Sequence, residues 1–385
     1  MTEETPDAAL SGVRVLELAT VVAGPAVGKY LADFGSDVIK VEAPDGDPTR
    51  RMGWSAPGDE DSFFWKLLAR NKRCVTLDLK SGDGKAEFLR LLADADLLIE
   101  NMRPGKLEAL GLAPEMLHEI CPSLVVLRVT GFGQSGPYAG RPGFATIVEG
   151  LSGISALMGE PDGQPLLPPI ALSDEVTGLV GAFAALVALR HAERTGEGQV
   201  VDVNLLESMF QIMGPLISAY AHLGYLQPRL GSAIPYTVPR GTYRCADGEW
   251  MAISCSADSV ASRVLHLIGV GDDERFLTFQ LRQENRVVLE VLMAEWVAER
   301  PAAEVMSEFH RVDAAIAPVL TMDRIFEDPH FREREAMVEV DGVIMQGVVA
   351  RLDRTPGRIS HTGPPPQTAR IEWSAEPERP DRSID

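Results

Sequence analysis

The chain has 385 residues, 45% hydrophobic and 24% charged, a composition of soluble globular proteins and a length that calls for two domains rather than one core. Lys and Arg number 36 against 56 Asp and Glu, and the net charge of −20 argues against nucleic acid or an anionic membrane as partner. An anionic small molecule stays open, because a local cluster of cations can dominate one pocket.

In chain order, residues 1–10 read as a flexible tail. Their start, Met-Thr-Glu-Glu-Thr-Pro-Asp, is acidic and polar and shows no secretory signal. The four cysteines, Cys74, Cys121, Cys245 and Cys255, lack C-x-x-C spacing and read as buried free thiols of a cytoplasmic protein. Val13 to Leu18 is a strand candidate. Ala23-Gly-Pro-Ala-Val-Gly28 turns into a helix that stops at Gly35, and Val38 to Val41 is the next strand. This βαβ unit forecasts a parallel sheet. Strands at 75–79, 97–100 and 124–129 and a helix at 82–92 continue the alternation, which predicts an α/β fold with a Rossmann-like open sheet.

Gly131-Phe-Gly133-Gln-Ser-Gly136 matches a dinucleotide fingerprint letter for letter and follows a strand. Pro137, Gly140, Pro142 and Gly143 come next, so no helix N-terminus stands ready for a pyrophosphate. The first βα turn holds only Gly24 and Gly28. A nicotinamide or flavin dinucleotide is therefore not expected, although Glu42 stands where a ribose-binding acid would.

Pro169 to Leu189 organises the chain. Ser173 and Asp174 are followed by a run almost free of polar side chains. Val176, Leu179, Val180, Phe183, Leu186, Val187 and Leu189 go all the way round a helical wheel, which reads as a helix buried on every side. Asp174 stands where an N-cap would stand. It is either a cap or a carboxylate at the positive end of a helix, partly shielded from water and able to react.

Beyond a turn at Thr195 to Gln199, residues 200–203 form a strand and a long helix runs from Leu205 to Leu223. Residues 224–239, rich in Pro, Gly and Ser, read as a linker. Residues 240–320 read as a smaller α+β domain opened by a hairpin at Thr242 to Ser254 and closed by Ile316 to Leu320. A short strand follows at 343–349. The Pro-rich, charged residues 364–385 read as a loose tail. Cations gather in loops of the first half, at Arg50 and Arg51, Arg70 to Arg73, Arg103 with Lys106, and Arg141. Only Arg103, just after a strand, is placed by its position alone at the carboxyl edge where open parallel sheets bind ligands. Such a convergence suits a multiply phosphorylated ligand.

In order, Val15-Leu-Glu-Leu18 with Ala23-Gly-Pro25, Asp33-Phe-Gly35, Val38-Ile-Lys-Val-Glu42, Gly46-Asp-Pro-Thr-Arg50, Asn71-Lys-Arg73, Leu77-Asp-Leu-Lys80, Glu100-Asn-Met-Arg-Pro-Gly105, Gly131 to Gly136, Asp174-x-x-x-Gly178 and Gly196-x-Gly-Gln199 resemble the family III CoA-transferases. These include the formyl-CoA, carnitine and bile-acid CoA-transferases, with α-methylacyl-CoA racemases as close relatives. The resemblance covers residues 11 to 345. It implies an interlocked homodimer in which the large Rossmann-like domain takes residues 11–223 and the return at 321–363. CoA or acyl-CoA would bind as substrate, with no metal and no permanently bound cofactor, and a small carboxylic acid would be the other partner.

The resemblance makes Asp174 the catalytic nucleophile. It would form an aspartyl mixed anhydride and then an aspartyl-CoA thioester. The positions matching CoA contacts are Lys72, Asn101, Met102 and Arg103. Arg50, Arg73 and Arg141 join them as candidate cations, and the amides near Val22 and Ala23 would line the thioester. Val22 replaces the Gln of formyl-CoA transferases, and their run of active-site glycines is missing, so formyl or oxalyl specificity is not expected. The racemase alternative needs a His where Phe144 stands, and Phe cannot carry a proton. A third reading is a non-catalytic CoA-binding protein.

Overall fold

In the computed structural model, which describes residues 8–374, apolar runs of four to six residues alternate with helices. The elements are β1 (Arg14–Glu17), α1 (Ala23–Asp33), β2 (Asp37–Glu42), α2 (Phe63–Leu68), β3 (Lys72–Thr76) and α3 (Gly82–Leu92). Then come β4 (Leu97–Glu100), α4 (Lys106–Ala109), α5 (Pro114–Ile120), β5 (Val125–Thr130), α6 (Ala145–Leu151) and the single turn α7 (Ile154–Leu157). The long α8 (Leu172–Thr195), β6 (Val200–Asn204) and α9 (Leu205–Gln211) follow. The six strands form one all-parallel sheet in the order β3-β2-β1-β4-β5-β6.

Alternate strand residues feed two cores. Val15, Leu97, Ile99, Val125, Leu127 and Val129 face α1 and α8. Leu16, Ile39, Leu98 and Val126 face Phe88, Leu91 and Leu92 of α3, with Leu107 and Leu117 beside them. Burial on both faces is why these strands read as continuous apolar runs. β3 starts three residues earlier than expected, because its first two positions are charged.

Helix α8 departs from the expectation of burial on every side. Thr177, Gly178, Gly181, Ala182, Ala185, Ala188 and Ala192 are buried. The larger Leu179, Leu186, Val187 and Phe183, the last 70% exposed, form an outward apolar face. Small residues are on the packed side because α8 lies directly on α1. A Cβ on Gly178 would come within 2.6 Å of the Ala26 Cβ, and one on Gly181 within 2.7 Å of Val27. A helical wheel scores both sides as apolar and cannot distinguish them.

The chain divides into two compact units. Among the described residues, the first takes 8–154, 167–217 and 333–374; the second takes 155–166 and 218–332. The expected single helix from Leu205 to Leu223 is two, α9 and α10 (Leu216–Leu223), broken around Gly214 at φ 62° and Pro215. The second unit carries an antiparallel sheet of β7 (Arg240–Arg244), β8 (Trp250–Ser254) and β9 (Ile316–Pro318). Its core joins Met251 and Ile253 to Val264, Met293, Val297, Val305 and Phe309. The stretch read as a linker is part of this unit, with Val238 buried against Leu265, Phe276 and Leu289. Back in the first unit, β10 (Met337–Val340) pairs with β11 (Val343–Gln346) through an Asp341-Gly342 turn.

Of the expected tails, residues 1–7 and 375–385 lie outside the described residues. Leu10 packs on the first core and donates its N–H to the Phe34 carbonyl. Residues 364–374 are held along the sheet edge. The Trp65 indole donates to the Pro364 carbonyl, Thr76 N–H to Gln367, and the Trp373 indole to Leu91. Isolated anchors such as Ile371 and Trp373 leave no periodic signal in a charged stretch.

Candidate active site

The strand order reverses between β1 and β4, the place where open parallel sheets bind ligands, in the crevice outside the carboxyl ends of the strands. The first loop, Leu18 to Val22, turns into α1. Val21 sits in it at φ 67°, a conformation that costs a β-branched residue about 1–3 kcal/mol and persists only where its surroundings hold it. The Thr20 N–H donates to Asn101 Oδ1 at 2.9 Å, and Asn101 Nδ2 donates to the Thr20 carbonyl at 2.7 Å. From beneath, Lys40 Nζ donates to the Ala19 carbonyl and Lys72 Nζ to the Pro25 carbonyl, both at 2.7 Å. Buried Glu17 lies between the two lysines, 3.1 Å from Lys40 and 2.7 Å from Lys72, and Asp47 stands 2.9 Å from Lys40. Burial works against the Lys40 ammonium, but Glu17 and then Asp47 outweigh it and raise its pKa. For Lys72 burial prevails over Glu17 and pulls the ammonium down to about 8.

Asp174 sits beside this turn. It lies in the first turn of α8 rather than at the N-cap, which is Ala171. Ala171 packs with Val21, Val22 and Ala26 in one apolar cluster, and Gly178 abuts Ala26. The N-terminal turns of α1 and α8 therefore meet, and the Ala23 and Gly24 N–H groups have no carbonyl within their own helix to bond. Buried Ser173 is pinned by Glu149 of α6, whose Oε1 accepts from the Ser173 N–H at 3.3 Å and from its hydroxyl at 3.1 Å. Thr177 Oγ1 donates to the Ser173 carbonyl at 2.6 Å. Among the described residues, no hydrogen bond or ion pair reaches the Asp174 carboxylate. Burial first, then the charges of Glu149 and Glu175, push its pKa up to about 6. The carboxylate is thus half-buried and, among the described residues, without a hydrogen-bond partner.

The structure separates the expected CoA-contacting residues into two groups. Val22 and Ala23 open α1 at the crevice, and Asn101 and Met102 follow β4 into it. The Met102 N–H is held by Glu100 at 2.6 Å. Arg103 is exposed and carries no ion pair among the described residues. Arg141, on the loop after β5, is exposed and stacks 4.0 Å from the Tyr138 ring. The other three cations are each engaged by carboxylates of this chain. Arg50 is buried over the Trp65 ring and grips Glu42 with two hydrogen bonds and Asp61 with two more. Lys72 is fully buried against Glu17. Arg73 lies at the amino end of β3, away from the ligand edge, and pairs with Asp37 at 2.5 Å.

Sequence reasoning missed Glu149 and the Glu17, Lys40, Asp47 network. The available signal was a lone charge within an apolar run: Glu149 inside Phe144 to Leu151, Glu17 and Lys40 inside strands. Phe144, expected as a core or pocket-wall aromatic, is 63% exposed at the N-cap of α6. The Gly131 to Gly136 loop folds back until a Cβ on Gly131 would meet Gly143 Cα at 2.7 Å, and α6 begins only at Ala145.

A carboxylate held free at a ligand crevice invites comparison with known proteins. The model of CoA-transferase family III matches residues 10–368. A succinyl-CoA–D-citramalate CoA-transferase of Chloroflexus aurantiacus is 38% identical over 94% of this chain and 92% of its own. A succinate–glutarate CoA-transferase of Agrobacterium fabrum is 36% identical over 92% of this chain and 90% of its own. The crystal structure of a CaiB/BaiF family protein from Brucella suis superposes with a TM-score of 0.83 at 34% identity, covering 93% of this chain and 96% of that one. This chain belongs to CoA-transferase family III, and it is a CoA-transferase.

Proposed function

We propose that the enzyme moves CoA from succinyl-CoA to a small carboxylic acid, with Asp174 as the covalent carrier. The observation that carries this reading is the unpartnered Asp174 carboxylate beside two helix N-termini. The donor class follows the relatives, which are named for pairing succinyl-CoA with citramalate or malate and succinate with glutarate.

An Asp174 oxygen attacks the thioester carbon, the C–S bond breaks, and CoA leaves as thiolate. The thiolate then attacks the Asp174 carbonyl of the mixed anhydride and releases succinate, which carries away one Asp174 oxygen. The acceptor carboxylate attacks the aspartyl-CoA thioester and forms a second anhydride. The returning thiolate takes the new acyl group and leaves Asp174 with one acceptor oxygen. A carboxylate is a weak nucleophile, so positioning supplies much of the rate.

Arg103 and Arg141 hold the CoA phosphates, the Asn101 and Met102 backbone lines the pantetheine path, and the Val22 and Ala23 amides face the thioester oxygen. No resident cofactor is needed. Anhydrides hydrolyse, so the site has to close. The outward faces of α8 (Leu179, Phe183, Leu186, Val187) and α6 (Phe144, Ile147, Leu151) support closure by a second copy in an interlocked homodimer. The four buried free cysteines suit a cytoplasmic enzyme.

The test uses succinyl-CoA with a panel of ¹⁸O-carboxyl acids, followed by mass analysis of the Asp174 peptide. One ¹⁸O enters Asp174 with an accepted acid, and Asp174→Ala abolishes transfer. A variant that still transfers, or a peptide that stays unlabelled during turnover, overturns the reading. The α-hydrogen of a 2-methylacyl-CoA stays unexchanged in deuterated water; steady exchange would place the chain with the racemases.

A further inference from the structure

Two carboxylates flank Asp174, and their surroundings differ. Glu175, on α8 itself, is half-exposed. It accepts from the Tyr30 hydroxyl at 2.7 Å and lies 3.3 Å from Lys29 Nζ, both on α1. Behind Lys29 stand Asp33 and Arg70, paired with each other. Glu149 comes from α6 and is 3% exposed. Its Oε1 takes both the N–H and the hydroxyl of Ser173, the residue before the nucleophile. The remaining charged groups on elements packed against α8 are turned elsewhere: Arg128 of β5 to Glu100 and Glu108, Asp202 of β6 to the Gln134 N–H, and Glu207 of α9 to Asn204.

We propose that Glu149 is a positioning residue of the transfer reaction: it fixes the first turn of α8 through Ser173 and keeps a buried carboxylate against the residue that precedes Asp174. The inference rests on Asp174 as nucleophile. Like charges close together disfavour the ionised form and make the carboxylate more basic, hence more nucleophilic. Acylation of Asp174 removes one of the two charges, so the repulsion disappears as the anhydride forms and the negative charge leaves on the CoA thiolate. The repulsion therefore acts on the ground state and not on the acyl-enzyme. The two hydrogen bonds to Ser173 keep the repulsion from being relieved by movement of the loop.

The experiment compares pH profiles of kcat/KM for succinyl-CoA, and kcat at the plateau, for the wild type, Glu149→Gln, Glu149→Asp, Ser173→Ala and Asp174→Ala in the full chain. Gln keeps an acceptor oxygen for Ser173 and removes the charge. Its acid limb moves downward from near pH 6 but stays above the ordinary carboxylate range, because burial and Glu175 remain, and its plateau kcat falls about three- to tenfold at unchanged KM for succinyl-CoA. Asp keeps the charge on a shorter arm, so the limb stays in place while kcat falls. Ser173→Ala lowers kcat without moving the limb. A Gln variant with the wild-type limb overturns the inference and leaves Glu149 a scaffold residue. If Gln does not fold, an Asp variant whose limb moves down with its kcat does the same. Transfer by Asp174→Ala instead refutes the nucleophile reading itself, which separates the two failures.

Discussion

Asn101 and Thr20 bind each other through two reciprocal hydrogen bonds across the crevice, side-chain amide to backbone N–H at 2.9 Å and to backbone carbonyl at 2.7 Å. They join the loops after β1 and β4, the pair between which the strand order reverses. Asn101 thus stabilises the turn that carries Val21 at positive φ and leads into α1. Asn101→Ala leaves two part-buried backbone groups without partners, and we expect a loss of about 1–3 kcal/mol in urea unfolding. kcat/KM falls with it, because the α1 N-terminus loosens. An unchanged unfolding midpoint would show that water replaces the amide and that the bridge is incidental.

Gly178 tests the contact between α1 and α8. A methyl group there lies 2.6 Å from Ala26 Cβ and 3.5 Å from the Ala23 carbonyl. Gly178→Ala has to push the helices apart, at about 1–3 kcal/mol, and displaces Asp174 one turn away. Removing the opposing methyl group with Ala26→Gly restores transfer in the double variant, with a coupling that a double-mutant cycle measures. Additive losses would mean that the two residues do not share the strain.

Much of the sheet was legible because strands covered on both faces are written as apolar runs with turns between them. β4 and α3 fall at the expected residues. β3 was read short because Lys72 and Arg73 look like loop residues, yet Lys72 enters the sheet paired with Glu17. The break in the expected helix from Leu205 is written in Gly214 and Pro215, but the apolar residues on both sides continue the helical pattern across it. At the site, Asp174 stood out as the head of an apolar helix, but Glu149, which holds the adjacent Ser173, lies 25 positions from Asp174 and reaches Ser173 only through the packing of α6 on α8. Burial likewise decides between Arg103 and Lys72, and a sequence does not display burial one residue at a time.

Those two cations give opposite predictions. Arg103 is exposed after β4, so Arg103→Ala leaves the fold intact and weakens CoA binding by about 1–3 kcal/mol, read by calorimetry with desulfo-CoA. Lys72 is fully buried between Glu17 and the Pro25 carbonyl. Lys72→Ala strips a buried carboxylate of one of its two cations, and a loss of about 3–5 kcal/mol is expected in unfolding, with CoA affinity of the remaining folded protein little changed. A stable Lys72→Ala protein that binds CoA weakly would return Lys72 to the ligand.

The raised pKa of Asp174 has a consequence for stability that can be measured without substrate. Its ordinary value is 3.8, and burial followed by Glu149 and Glu175 raises it to about 6. The folded protein therefore holds a proton there that the unfolded chain has already released between pH 4 and 6. Below pH 4 both states are protonated and the site costs nothing. As pH rises towards 6 the penalty of a buried, repelled carboxylate sets in, and above 6 it is fully present. Asp174→Asn is neutral at every pH. It should match the wild type near pH 4 and exceed it by about 2 kcal/mol at pH 7.5 and above, a figure reduced from the full shift because the carboxylate is partly exposed. Urea unfolding of both proteins at pH 4.5, 6 and 7.5 traces the difference. A constant gap across that range would show that the amide stabilises by packing rather than by removing a charge. A wild type more stable than Asp174→Asn at pH 7.5 would mean that the helix N-termini hold the ionised form, and that Asp174 titrates below its ordinary value.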